Sequence, residues 1–196
     1  MRNLSIAGFD LGPSKSVKFK FATTRDIKSL TSWRRVAQLS GNPMKLDAAE
    51  FAELAFRRWR EGKGKKRAAN SVEDIRDFVR DNLQAEVHIL VLAKAPWLRI
   101  GTIVGVCHFR RTWANNIYVD YLSVHPFLIR NPSNPLPNLG SALLYFVSCV
   151  ADEIQAGKIW GETTQNSVQF YEKIFGRGRQ DDMLDLERDH YMAFKK

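Results

Sequence analysis

The sequence predicts an α/β (α+β) domain, a mixed sheet with helices on both faces, and three observations carry that prediction. Short runs rich in β-branched and aromatic residues, 87–92, 100–110 and 117–124, read as buried or half-buried strands. Stretches with apolar residues at helical spacing stand before and after them, so strands and helices are interleaved. The third observation is a strand–loop–helix unit from 117 to 154, around which the rest of the chain is arranged.

Taken in order, Met1 to Ser16 is a polar, glycine-containing lead-in with room for a short strand at Leu4 to Ala7, and one domain occupies 17–196. Val17, Phe19 and Phe21 alternate with Lys18 and Lys20, the period of a half-buried strand. Thr24 is placed to cap a helix carrying Ile27, Leu30, Val36 and Leu39 on one face and ending at Gly41-Asn42-Pro43. Asp47 then caps a second helix, with Phe51, Leu54, Ala55 and Trp59 inward and Gly62 as its C-cap. Ser71 caps a third, whose stripe is Val72, Ile75, Phe78 and Val79. Two antiparallel strands follow, 87–92 and 100–110, and then the strand 117–124, halted by His125-Pro126. Beyond the helix 139–154, the chain predicts a strand at 158–163, a helix at 167–175, a turn at Gly176-Arg177-Gly178, and a closing hairpin of 183–186 with 190–194.

Composition narrows the function classes. A chain of 196 residues with 44% hydrophobic content is large enough for a sizeable core. Thirty basic against twenty-one acidic residues give a net charge of +9, which favours a polyanionic partner such as a coenzyme, nucleic acid or an acidic protein face. Seven of the basic residues crowd between Arg57 and Arg67, as a solvated helix end or as a cationic arm for nucleic acid or an acidic protein. Cys107 and Cys149 read as small buried hydrophobes of a reducing compartment. No secretory leader and no run of about twenty apolar residues is visible, so the expected location is cytoplasmic, without a membrane partner. The four histidines have no metal-ligand spacing, and no metal is expected.

The organising unit reads YVDYLSVHPFLIRNPSNPLPNLGSALL from Tyr118 to Leu144. Asn138 is a candidate N-cap for the helix that opens Leu139, Gly140, Ser141, Ala142. The first-turn N–H groups there lack intrahelical partners, and the small side chains let a pyrophosphate approach the backbone.

LSVHP followed by LGSALL, and then WGETTQNSVQFYEKIFG from Trp160 to Gly176, resembles the acetyl-CoA site of the GCN5-related N-acetyltransferase (GNAT) family. The resemblance implies a mostly antiparallel GNAT-like sheet with an acetyl-CoA cleft at the central strand. It also implies acyl transfer to an amine acceptor of unread identity, by direct attack on the thioester, in a monomer or homodimer. Leu122, Ser123 and Val124 would then hold the thioester arm, with a backbone N–H near Val124 as oxyanion donor. Asn138, Leu139, Gly140, Ser141 and Ala142 would hold the pyrophosphate, and Thr164 or Asn166 would orient the pantetheine arm. Tyr171 matches the family residue beside the departing thiolate; a phenol with a pKa of about 10 stays protonated there. Asp120, four residues before Val124 and hence on its strand face, and Glu162 are the two candidate bases, with solvent as a third.

The family's phosphate loop usually reads Gln/Arg-x-x-Gly-x-Gly/Ala. Aligned on Gly140, this chain has Pro135 at the basic or amide position and Asn138 at the first glycine, in a longer loop with prolines at 126, 132, 135 and 137. A second reading therefore stands beside the enzyme: a catalytically inactive member of the fold that binds nucleic acid or an acidic protein through its basic surface.

Overall fold

Seven strands form one sheet in the order β1-β3-β4-β5-β6-β7, with the short β2 beside β3, in a computed structural model that describes residues 16–81, 84–100, 102–175 and 183–194. The expected strand at Leu4 to Ala7 and the turn at Gly176 to Gly178 lie outside those residues. The strands are β1 (Lys18–Phe21), β2 (Ala68–Ala69), β3 (Val87–Lys94), β4 (Ile103–Arg111), β5 (Ile117–Val124), β6 (Lys158–Glu162) and β7 (Met183–Glu187). Pairing is antiparallel except for β2 with β3 and β5 with β6. β3 and β4 are apolar on both faces, and both faces are covered, which is why they read as continuous runs rather than alternations.

One layer holds α1 (Thr31–Ser40) and α2 (Pro43–Gly64); the other holds α3 (Val72–Asp81), α4 (Leu139–Glu153) and α6 (Arg188–Phe194), with α5 (Val168–Phe175) bordering it. α1 follows a 3-10 turn, Thr24–Ser29, that displaces its phase. Its buried stripe is Leu30, Trp33 and Ala37, and Leu39, expected to face inward, is 80% exposed. α1 stops at Gly41, whose φ of 62° is the left-handed C-cap conformation.

α2 starts four residues before the expected cap. Asn42 accepts from the Met44 N–H at 3.0 Å and Pro43 takes the first position, where a missing N–H costs nothing. Asp47 is thus inside the helix and free for another task. Ala48, Ala49, Ala52 and Ala55 bring α2 close to the sheet, and Ala55, Phe56 and Trp59 bury its length. Nor does Gly62 end it: a Cβ there would meet the His88 ring at 2.5 Å, so glycine is required by close approach and the helix runs to Gly64. Ser71 caps α3 as expected, accepting from the Asp74 N–H, while Asp74 accepts in return from the Asn70 N–H.

The closing hairpin is corrected. Only 183–187 is a strand; 188–194 is α6, whose Tyr191 is fully buried and donates its hydroxyl hydrogen to the Ala156 carbonyl at 2.7 Å. Tyr191 and Phe194 stand three apart, a helical spacing that a five-residue run does not separate from alternation.

Candidate active site

The site begins with an interruption in β5. Phe109 pairs with Val119 and His108 with Tyr121, so Asp120 is an extra residue, a β-bulge. A bulge exchanges the faces of everything beyond it. Ile117 and Val119 face the α4 layer, and so do Leu122 and Val124, although their parity differs. Tyr121 packs toward α2, against Phe51, and the Ser123 hydroxyl donates to the Ala48 carbonyl of α2 at 2.8 Å. The expectation that Asp120 shares the face of Val124 is therefore overturned, because strict alternation fails across the bulge.

The second element is a divergence. β5 and β6 are parallel neighbours over three pairs only, ending at Val119 with Gly161. Past that point Leu122 to Val124 keep their β4 partners and have none on β6. His125 donates its N–H to the Val104 carbonyl of the β4 side at 2.8 Å. Alternation along the strand then turns the N–H groups of Val124 and Leu122 away from β4, into the gap.

That gap is a cleft of about 290 Å³. It is lined by Leu122, Ser123 and Val124, by Leu139 and Gly140 at the start of α4, by Thr164, Asn166, Phe170 and Tyr171, and by Asp47, Ala48 and Phe51 of α2. Eight of the expected site residues are thus brought together from three separate stretches of chain. Asn138, Ser141 and Ala142 are outside the lining; Ala142 is buried beneath it, and Asn138 makes no side-chain cap bond. The turn into α4 is instead held by Asn134, which accepts from the Leu136 N–H at 2.8 Å and donates to the Leu128 carbonyl at 2.9 Å. Asn131 does likewise with the Ser133 N–H and the Phe127 carbonyl. These two asparagines fix the proline-rich loop, and the repeated Asn-Pro pairs are the sequence signal that identifies such turns.

Tyr171 is 6% exposed, and burial, followed by the neighbouring Cys107, raises its phenol above the ordinary value, so it is protonated at any working pH. Phe170 lies over Gly140, where a Cβ would meet the ring at 2.9 Å. Thr164 is tied into the turn before α5, its N–H donating to the Ser167 hydroxyl at 2.8 Å. Asn166 donates to Asp47 at 2.9 Å.

Neither candidate base lines the cleft. Asp120 is almost buried on the α2 side, 3.1 Å from His108 Nδ1 and bonded to Arg110 Nε at 2.9 Å. Burial pushes its carboxyl up, but the hydrogen bonds and charges of His108 and Arg110 together outweigh this and hold it below the usual range. His108 continues to His88, 3.3 Å away, and Arg110 to Glu86 at 3.2 Å. Burial lowers the pKa of His108, against the opposing pull of Asp120. Asp120 is thus committed to a buried network at the bulge. Glu162, the last residue of β6, is exposed where the two strands part and accepts from the Tyr118 hydroxyl.

Acetyl-CoA, which the resemblance implies as cosubstrate, can be tested against this lining. Leu122, Val124, Leu136, Leu139 and Phe170 make it largely apolar, as a pantetheine arm needs. Among the described residues it contains one carboxylate, Asp47, and no lysine or arginine, so phosphate oxygens would rest on the N–H groups that open α4. The residues fit the group through backbone rather than through cationic side chains. Among the described residues no His, Cys, Asp and Glu cluster could hold a metal, and no helix is long and apolar enough to cross a membrane. The residues of the Arg57–Arg67 segment are exposed at the far end of α2 except Trp59 and Gly62.

No protein-family model matches the sequence, and no curated protein matches it. Solved structures do. A protein of Exiguobacterium sp. 255-15, assigned as an acetyltransferase, superposes with a TM-score of 0.51 at 10% identity over 92% of this chain and 99% of its own. A GNAT-family acetyltransferase of Brucella melitensis, solved with acetyl-CoA, gives 0.49 at 10% identity over 88% of each chain. Nourseothricin acetyltransferase gives 0.36 at 17% identity over 50% of this chain, and the match spans 62% of its length. The superposition on the Exiguobacterium structure, together with the strand order, shows that the chain has the fold of that structure, with the mixed, mostly antiparallel sheet expected from the sequence.

Proposed function

We propose that this chain is an acetyl-CoA-dependent N-acetyltransferase. The observation that carries the reading is the convergence of the free N–H groups of Val124 and Leu122, the open start of α4 and the protonated phenol of Tyr171 on one apolar cleft. The amine nitrogen attacks the thioester carbonyl, a C–N bond forms, and the electron pair displaced onto oxygen is held by the Val124 N–H. Collapse breaks the C–S bond. Tyr171 donates a hydrogen bond to the departing thiolate without surrendering its proton, since its pKa is raised. Glu162 takes the ammonium proton, directly or through water. Asp120 is assigned to position the bulge, because Oδ2 is engaged by His108 and Arg110 and Oδ1 by Arg110.

The experiment is a thermal-shift titration with acetyl-CoA and CoA, followed by thiol-release assays with a panel of amines. A rise in melting temperature with both ligands is expected; its absence would return the basic-surface binding module as the better reading.

A further inference from the structure

On the side of the sheet where α1 and α2 cover β3 to β5, no helix among the described residues lies over β6 and β7. Ile159, Leu184 and Leu186 are buried against the other layer. The residues alternating with them, Lys158, Trp160 and Glu162 on β6 and Met183, Asp185 and Glu187 on β7, stand half or fully exposed. This open face ends at Glu162, where β5 and β6 part, and so runs directly into the gap that holds the Val124 N–H.

Its charge opposes that of the whole. In a chain of net +9 its described residues present three carboxylates against one lysine, and Lys158 is paired with Asp185 at 3.2 Å. Glu162 and Glu187 remain. Glu187 stands opposite Lys158 in the register and Glu162 four residues further along β6, a separation of about 13 Å at the ordinary strand rise. Between them is Trp160, edge to face with Tyr118 at 4.6 Å. The same aromatic pair already carries a cation: the Arg110 guanidinium lies 4.8 Å from the Tyr118 ring centroid.

Resting on the acetyltransferase reading, we infer that this face is the acceptor site and that the acceptor is a linear polyamine. One nitrogen enters the gap beside Glu162, the alkyl chain lies along Trp160, and a distal ammonium is held by Glu187. Charge complementarity selects the ligand class, and the carboxylate spacing selects its length. The basic Arg57–Arg67 segment does not compete, because α2 carries its end about 20 Å from Phe51 at 1.5 Å per residue.

The test uses the full chain with spermidine as probe. Calorimetric titration, with and without CoA, is expected to show binding that weakens steeply with salt and falls at least fivefold in Glu187→Gln. In turnover with acetyl-CoA, the same variant raises the KM for spermidine about tenfold, leaves kcat alone, and leaves butylamine, which has no distal charge, unchanged. Spermidine binding that is absent, or indifferent to Glu187→Gln, overturns the inference, as does equal kcat/KM for an acidic peptide. The two readings fail separately. Acetyl-CoA binding and cleavage with an acidic acceptor alone would remove the polyamine site and keep the enzyme, whereas Glu187-dependent spermidine binding without any acetyl-CoA shift would do the reverse.

Discussion

Asp47 on α2 and Asn166 in the loop after β6 meet across the cleft, the amide nitrogen donating to the carboxylate at 2.9 Å, although 119 positions separate them in sequence. The pair spans the space that the proposed donor occupies, and among the described residues Asp47 is the one formal charge in the lining, which has no lysine or arginine. Asp47→Asn keeps a hydrogen-bond acceptor and removes the negative charge. Because the bond is exposed, stability should change by no more than about 1 kcal/mol. Acetyl-CoA affinity should rise several-fold at low salt, and the gain should shrink as salt is added. Calorimetry at two ionic strengths measures both; a loss of affinity would instead make Asp47 a direct ligand contact.

Tyr171→Phe isolates one hydroxyl. Its contact with the leaving sulfur strengthens as charge develops, so kcat should fall about 10- to 100-fold while acetyl-CoA affinity stays constant. Burial holds the phenol protonated, so no limb of the pH–rate profile up to about pH 10 should belong to Tyr171. Unaltered turnover would reduce Tyr171 to packing against Phe170, 5.0 Å between ring centroids.

Much of this arrangement was legible before folding because it is local. The strand 117–124, the α4 stripe and the small residues at 140–142 obey periods that one element sets by itself. The cleft residues Leu122, Val124, Gly140 and Tyr171 came from that reading and from the family resemblance. What escaped depends on partners distant in sequence. The bulge at Asp120 is fixed by His108 and Arg110 on the neighbouring strand, so alternation alone aims Asp120 at the wrong face. Gly62 looked like a helix stop, yet its reason is the ring of His88. Asp47 resembled a cap because any aspartate before an apolar helical run does; Asn42 with Pro43 was the stronger signal of the true start.

Acid stability should decline in two stages. Burial pushes His125 down to about 4, and burial together with the charges of His108 and Arg110 does the same to His88. Their unfolded forms take up protons near pH 6.5, so stability is lost as pH falls from about 6.5 to 4, by on the order of 2 kcal/mol for His125. Asp120 and Asp26 are depressed carboxylates. Burial raises Asp26, but Lys20, Lys94 and Thr23 overcome it. Their contribution is complete above about pH 4 and disappears below it. His125→Asn, which can still accept from the Phe127 N–H, should flatten only the upper stage. Asp120→Asn should cost about 3 kcal/mol at pH 7 by leaving Arg110 and His108 without their carboxylate, and should flatten the lower stage. Urea melts at half-unit pH intervals resolve the two.

The space above Gly140 belongs to Phe170, and this alters what a substitution there reports. A Cβ at position 140 would come within 2.9 Å of the Phe170 ring, at the tip of a side chain that is half exposed and able to move. Gly140→Ala should therefore displace the ring rather than break α4, lowering stability by about 1 kcal/mol. The displaced ring has the cleft on one side, so acetyl-CoA affinity should fall by more than the stability does. If the loss comes from Phe170 entering the cleft, Phe170→Leu in the same chain restores affinity, because the shorter side chain leaves room for the new methyl. If instead the alanine methyl itself meets the pyrophosphate, the double variant stays as weak as the single one. A double-mutant cycle on the acetyl-CoA dissociation constant separates the two: coupling between 140 and 170 is expected, and strict additivity would move the phosphate onto the Gly140 backbone with no part for Phe170.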